Sequence, residues 1–134
     1  MIVVDTNVIA YLWIPGLNTS HAERLLKQDS EWIAPLLWRS EFRNVLAGYI
    51  RRNLMTLETA VQLMGEAESQ MRGREYSVSS THVLNLVEKS RCSAYDCEFV
   101  ALAEDLGSPL ITTDRKIISA FPSTAIALKE FVKS

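Results

Sequence analysis

Short continuous apolar runs alternate along this chain with apolar residues spaced three and four apart. Ile2-Val3-Val4 is an unbroken apolar run and predicts a strand buried on both faces. Over 19–27, Ala22, Leu25 and Leu26 share one face of a short helix. EWIAP (31–35) reads as a second strand, with Pro35 suited to the first turn of the helix that follows. That helix is expected from about Leu36 to Arg52, since Phe42, Val45, Leu46, Tyr49 and Ile50 form an i, i+3, i+4, i+7, i+8 stripe. Another starts after Thr56, with Leu57, Ala60, Val61, Met64, Ala67 and Met71 as its apolar face. YSVS (76–79) is a short strand or a turn, and a helix carrying Val83, Leu84 and Val87 comes next.

The segment SAYDCEFVALAEDLG is the best-defined helix. Ser93 is a natural N-cap and Asp96 stands where a capping-box acid belongs. Tyr95, Phe99, Leu102, Ala103 and Leu106 make its expected buried stripe, and Gly107 stops it. PLITT (109–113) is a buried strand ending on Asp114. After a helical or irregular stretch, STAIAL (123–128) reads as a last strand, with KEFV as a terminal turn. Strand–helix alternation with continuous apolar strands predicts an α/β protein whose mostly parallel sheet is covered by helices on both faces.

Length fits a single domain, 1–134. Composition, 48% hydrophobic and 22% charged, is that of an ordinary soluble globular protein. No apolar run approaches the ~20 residues that cross a bilayer, and no signal peptide is visible. The expectation is a cytoplasmic protein with no membrane partner. Cys92 and Cys97 form no CxxC pair and read as reduced thiols. The formal charge of −2 is an average and excludes no partner class. His21 and His82, neither at a strand end, argue against acid–base cleavage by a histidine pair.

Ligands of open parallel sheets bind beyond the carboxyl ends of the strands. Asp5 ends the first strand, Asp114 ends PLITT, Asp96 opens the helix leading into PLITT, and Glu41 lies early in the helix leaving EWIAP. Carboxylates gathered at one such end repel by roughly several kcal/mol in a partly dry site. A hard divalent cation, Mg2+ or Mn2+, offsets that repulsion and takes oxygen ligands. Water held by such an ion is equipped to hydrolyse a phosphodiester. Spacing of two puts Thr112, rather than Thr113, on the face of Asp114. Plainer roles compete: Asp5 as a turn residue, Glu41 as a solvated charge on a mixed-charge helix, Asp96 as a cap alone.

Arg115 and Lys116, beside the last acid, are the foremost candidates for phosphate contacts, followed by Arg39 and Arg43. Arg51, Arg52, Arg72 and Arg74 more simply supply solvated charge. Trp13, Trp32 and Trp38 are candidates for base stacking or, by default, for core and interface.

At this point the residues carry a resemblance. VVDTNVIAYLW, LWRSEFRNVLAGYIRRN and SAYDCEFVALAEDLGSPLITTDRK, in this order, resemble a PIN domain, and more narrowly the VapC-type ribonuclease toxins. The likeness runs from Met1 to about Lys133. It implies a three-layer α/β/α fold, Mg2+- or Mn2+-dependent endoribonuclease activity on RNA, and a homodimer. It also implies inhibition by a small DNA-binding antitoxin whose tail enters the active-site groove. Asp5, Glu41, Asp96 and Asp114 match the four acids of the family as catalytic and metal-binding residues. Asn7 matches the polar residue after the first acid, and Thr112 the hydroxyl two before the last. A fifth, variable acid of the family is not supplied by Arg115-Lys116-Ile117-Ile118, which leaves one or two ions open.

Other classes set acids at strand ends too. A Mg2+-binding phospho-receiver module without nuclease activity needs a lone phosphoacceptor Asp and a Lys ending a later strand, and Glu41 and Asp96 on helix starts do not fit it. A haloacid-dehalogenase-type phosphatase needs two aspartates flanking one residue, and the second here is Asn7. A PIN-like domain that binds RNA without cutting it would not need the acids intact.

Overall fold

The computed structural model describes residues 1–133. Its sheet has five parallel strands, β1 (Ile2–Val4), β2 (Trp32–Pro35), β3 (Glu75–Tyr76), β4 (Leu110–Thr112) and β5 (Ala125–Ala127). Their order is β3-β2-β1-β4-β5. Every residue of β1, β2 and β4 is buried, as unbroken apolar runs require when helices cover both faces. The chain builds outward from β1 to β3, then returns to start again at β4. The order therefore reverses between β1 and β4, the place where an open α/β sheet offers a crevice. Register pairs Val3 with Leu110 and Val4 with Ile111, so Asp5 and Thr112 emerge side by side at that crevice.

Among the described residues eight helices clothe the sheet: α1 (Thr6–Trp13), α2 (Thr19–Gln28), α3 (Trp38–Arg51), α4 (Leu57–Met71), α5 (Ser80–Glu88), α6 (Ala94–Leu106), α7 (Arg115–Ala120) and α8 (Leu128–Lys133). One layer is α6, lying against β1, β2 and β4, with α5 packed on it. The other gathers α1–α4 and α8, through α1 on β4, α4 on β2 and α8 on β4 and β5. The three-layer α/β/α expectation holds. On α6 the capping box is present, with Ser93 Oγ accepting from Asp96 N. Its other end closes on Gly107 at φ 62°, where Gly107 N donates to Glu104 O and Ser108 N to Ala103 O.

Several local readings differ. Pro35 ends β2, and α3 starts only at Trp38; a proline that lacks the N–H is tolerated at a strand end. β3 sits at Glu75–Tyr76, one residue earlier than the YSVS reading, and the KEFV turn is the helix α8. On α4, Leu57 and Val61 face outward, and Ala60, Ala67 and Met71 make the buried side. On α5, Leu86 turns inward and Leu84 stays exposed. Tyr95, expected in the buried stripe of α6, is exposed.

Polar clasps lock the layers. Arg39 lays its guanidinium fork on Glu75, Nε to Oε2 at 2.6 Å and Nη2 to Oε1 at 2.7 Å, which holds the Glu75 carboxyl below its usual range. Trp38 Nε1 donates to the same carboxylate at 2.7 Å and is otherwise fully buried, as is Trp32. Trp13 is half-buried and donates to Gln70 at 2.8 Å. The tryptophans are core and clasp residues. His82 bridges Glu104 (2.7 Å) and Asp105 (2.9 Å) at the end of α6, acids that the sequence leaves as surface charge; the Glu104 bond is the largest cause of its raised pKa. Cys92 and Cys97 are free and buried, and burial pushes both thiols up.

Candidate functional site

Asp5, Glu41, Asp96 and Asp114 line one cavity of about 470 Å³, together with Thr6 and Asn7. Their convergence has a local cause that recurs at each acid. Asp5 is the N-cap of α1, accepting from Thr6 N at 2.8 Å. Asp114 is the N-cap of α7, accepting from Lys116 N at 2.9 Å and Ile117 N at 3.4 Å. Asp96 stands in the capping box of α6, accepting from Ser93 N at 3.3 Å. Glu41 lies in the first turn of α3. Each carboxylate thus sits at the positive end of a helix, where unpaired N–H groups and the helix dipole favour its ionised form. That placement offsets part of the repulsion that gathering them creates.

Two threonines tie the set together. Thr112, fully buried, donates from Oγ1 to Asp5 Oδ2 at 2.6 Å and accepts from Asp114 N at 3.0 Å. Thr113 faces elsewhere, bonded to Tyr11 at 2.9 Å, as alternation along a strand demands. Thr6 donates its Oγ1 to Glu41 Oε1 at 2.7 Å while its N–H holds Asp5. The sequence reading did not single out Thr6. A hydroxyl directly after a strand-ending acid was the signal, and it is readable only once α1 is known to begin there.

Burial is the main cause of the raised pKa of Asp5, with the charges of Asp96 and Asp114 adding to it against the Thr112 and Thr6 bonds. Glu41 is raised for the same first reason, with Asp5, Asp96 and Glu98 adding. Among the described residues the one ion pair to any of these acids is Lys116 Nζ, 3.8 Å from Asp96 Oδ2. The site is therefore short of positive charge. Its donors are all oxygen, and Glu41 Oε2, Asp96 Oδ1 and Asp114 Oδ2 accept no hydrogen bond from the described chain. This set fits a hard divalent cation. Among the described residues no three such side chains stand close enough to hold an ion by themselves, so an ion bound here would keep water among its ligands, as Mg2+ readily does.

Of the basic candidates, Lys116 is at the site and Arg115 opens α7 beside it, exposed. Arg39 is committed to Glu75 and is not brought to the cavity. Arg43 is exposed on α3 outside the lining. Among the described residues no lysine ends a strand at the cavity: Lys129, following β5, does not line it, and Lys116 stands on α7.

The family model of the PIN domain matches residues 2–121. Ribonuclease VapC3 of Pyrobaculum aerophilum is 30% identical over 125 residues, spanning 91% of this chain and 95% of that protein. Among solved structures, PAE2754 from Pyrobaculum aerophilum shares the fold with a TM-score of 0.78 at 19% identity, covering 98% of this chain and 92% of that one. FitAcB from Neisseria gonorrhoeae gives 0.76 at 17% identity, with 96% and 99% covered. A toxin-antitoxin complex from Klebsiella pneumoniae gives 0.69 at 15%, with 96% and 98% covered.

Proposed function

The chain belongs to the PIN domain family, and on that premise we propose that it is a divalent-cation-dependent endoribonuclease, the toxin of a toxin–antitoxin pair. The observation that carries this is the gathering of Asp5, Glu41, Asp96 and Asp114 on one cavity at the switch between β1 and β4. RNA as substrate is supported by the name of the relative, Ribonuclease VapC3, and an antitoxin partner by the Klebsiella pneumoniae complex. A cytoplasmic homodimer belongs to the same reading, and exposed Leu54, Leu57 and Val61 suit a self-association face.

Bound among the acids, Mg2+ or Mn2+ supplies positive charge to the phosphate and lowers the pKa of a water. Thr112 and Thr6 hold Asp5 and Glu41 in place, which spares the site reorganisation during the reaction. Glu41, held through Oε1 by Thr6 and with Oε2 accepting no bond from the described chain, is the carboxylate we assign as base for the attacking water. It takes the water proton as the water oxygen bonds phosphorus, while the bond from phosphorus to the leaving sugar oxygen breaks and that oxygen takes up a proton from solvent. Arg115 and Lys116 contact flanking phosphates and set the register of the strand.

Induced expression of the chain is expected to arrest growth, and Asp114→Asn, slower by at least ~100-fold, to relieve the arrest. Normal growth with abundant wild-type protein, and intact RNA after incubation with the pure chain and Mn2+, would remove the proposal.

A further inference from the structure

Helical spacing directs Tyr95 inward with Phe99 and Leu102, yet its ring stands 62% exposed in the first turn of α6. Among the described residues it is the one aromatic ring among the exposed large apolar side chains. It lines the same cavity as the acids and directly precedes Asp96. Leu37 and Val45 give that cavity apolar wall, while Ser40 and Asn44 give it groups that hydrogen-bond. Trp32 and Trp38 are buried, Trp13 is held by Gln70, and none of the three lines this cavity.

A flat ring beside a phosphate-cutting site, flanked by apolar and amide groups, matches what an unpaired nucleobase needs. Bases within an A-form duplex have both faces occupied, so stacking on protein requires a single strand or a splayed loop. We propose that Tyr95 is the stacking platform for one unpaired nucleobase of the RNA, next to the phosphate that is cut. The proposal rests on the nuclease reading and adds to it the side chain that holds a base beside the cut. Because every base has a π-face, the ring confers affinity with little sequence preference.

The test measures binding apart from cutting. In an Asp114→Asn background with Mn2+ present, fluorescence anisotropy follows a labelled single-stranded RNA of about 10 nucleotides and its blunt duplex. Tyr95→Ala is expected to weaken single-strand binding by at least about fivefold, while Tyr95→Phe and Tyr95→Trp retain it and the duplex is unaffected. In the chain with Asp114 intact, Tyr95→Ala should raise KM far more than it lowers kcat. Because the ring is exposed, the melting temperature should not move. Unchanged single-strand affinity in Tyr95→Ala overturns the proposal, as does an equal loss in Tyr95→Phe, which would implicate the hydroxyl. So does a change of oligomeric mass with RNA affinity intact, which would make the ring a protein contact. Failure of the nuclease reading shows separately, as absence of cutting by the wild-type chain.

Discussion

Asp5→Asn is expected to cut RNA at least ~100-fold more slowly than the wild-type chain, yet to melt no lower when divalent ions are absent. Asn keeps the bond from Thr6 N and reverses the one to Thr112. Its oxygen can accept from Thr6 N, and its amide can donate to Thr112 Oγ1, which also accepts from Asp114 N and whose own hydrogen gives up the Asp5 acceptor. What the change removes is a buried charge facing Asp96 and Asp114. Because burial raises the folded pKa of Asp5 above its unfolded value near 3.9, its stabilising contribution is complete below that value. The contribution is lost as pH rises through the folded pKa, which Asn does not suffer. The variant should therefore gain on the wild type in melting scans run from about pH 4 to 8 without divalent ions. Added Mn2+ should narrow the gap, because an ion that binds only the folded acids stabilises the wild type more. A variant that melts far below the wild type at neutral pH without ions would mean that the charge supports the fold.

Asp96 invites a sharper separation, since capping and cation binding both suit it. Asp96→Asn retains an acceptor for Ser93 N, so its structural cost is confined to the helix dipole and the Lys116 contact, together under about 1 kcal/mol. Relief of repulsion on Asp5 and Glu41 works in the other direction, and the ion-free melting point should stay close to wild type. Cleavage should fall by at least ~100-fold and the melting shift produced by Mn2+ should shrink. Ser93→Ala is the counterpart. It removes the hydroxyl that caps Asp96 N, costs about 1 kcal/mol of stability, and leaves every acid in place. If Ser93→Ala and Asp96→Asn lose stability alike and both keep cleavage and the Mn2+ shift, Asp96 is a cap and nothing more.

The strands and α6 were legible because their signals are local: unbroken apolar runs, a Ser-x-x-Asp start and a glycine stop. α1 was not. Val8, Ile9 and Ala10 are all buried, so past Asn7 the helix reads as a second unbroken apolar run that does not reveal its period. α7 is six residues long, shorter than any window that shows periodicity. Both matter to the site, because α1 goes unread and α7 stays open between helix and irregular chain, and each carries the helix N-terminus that holds Asp5 or Asp114. Thr6 was hidden with α1: its bond to Glu41 joins residues 35 apart and follows from the turn of the chain into that helix. Glu41 itself looks like one more charge on a mixed helix; its place early in the helix after EWIAP put it in the set, and the resemblance strengthened that reading. Tyr95 misled because the apolar stripe of α6 continues into its first turn, where the core has ended and the cavity begins.

The claim that these four carboxylates form one cation-dependent nuclease site meets its most direct test in a single rate. The pure wild-type chain, stripped of divalent ions, is mixed with single-stranded RNA before and after Mg2+ or Mn2+ is restored. Cleavage should be absent in EDTA, return with either ion, and fail to return in Asp5→Asn. Full-rate cleavage by the stripped chain in EDTA would contradict it.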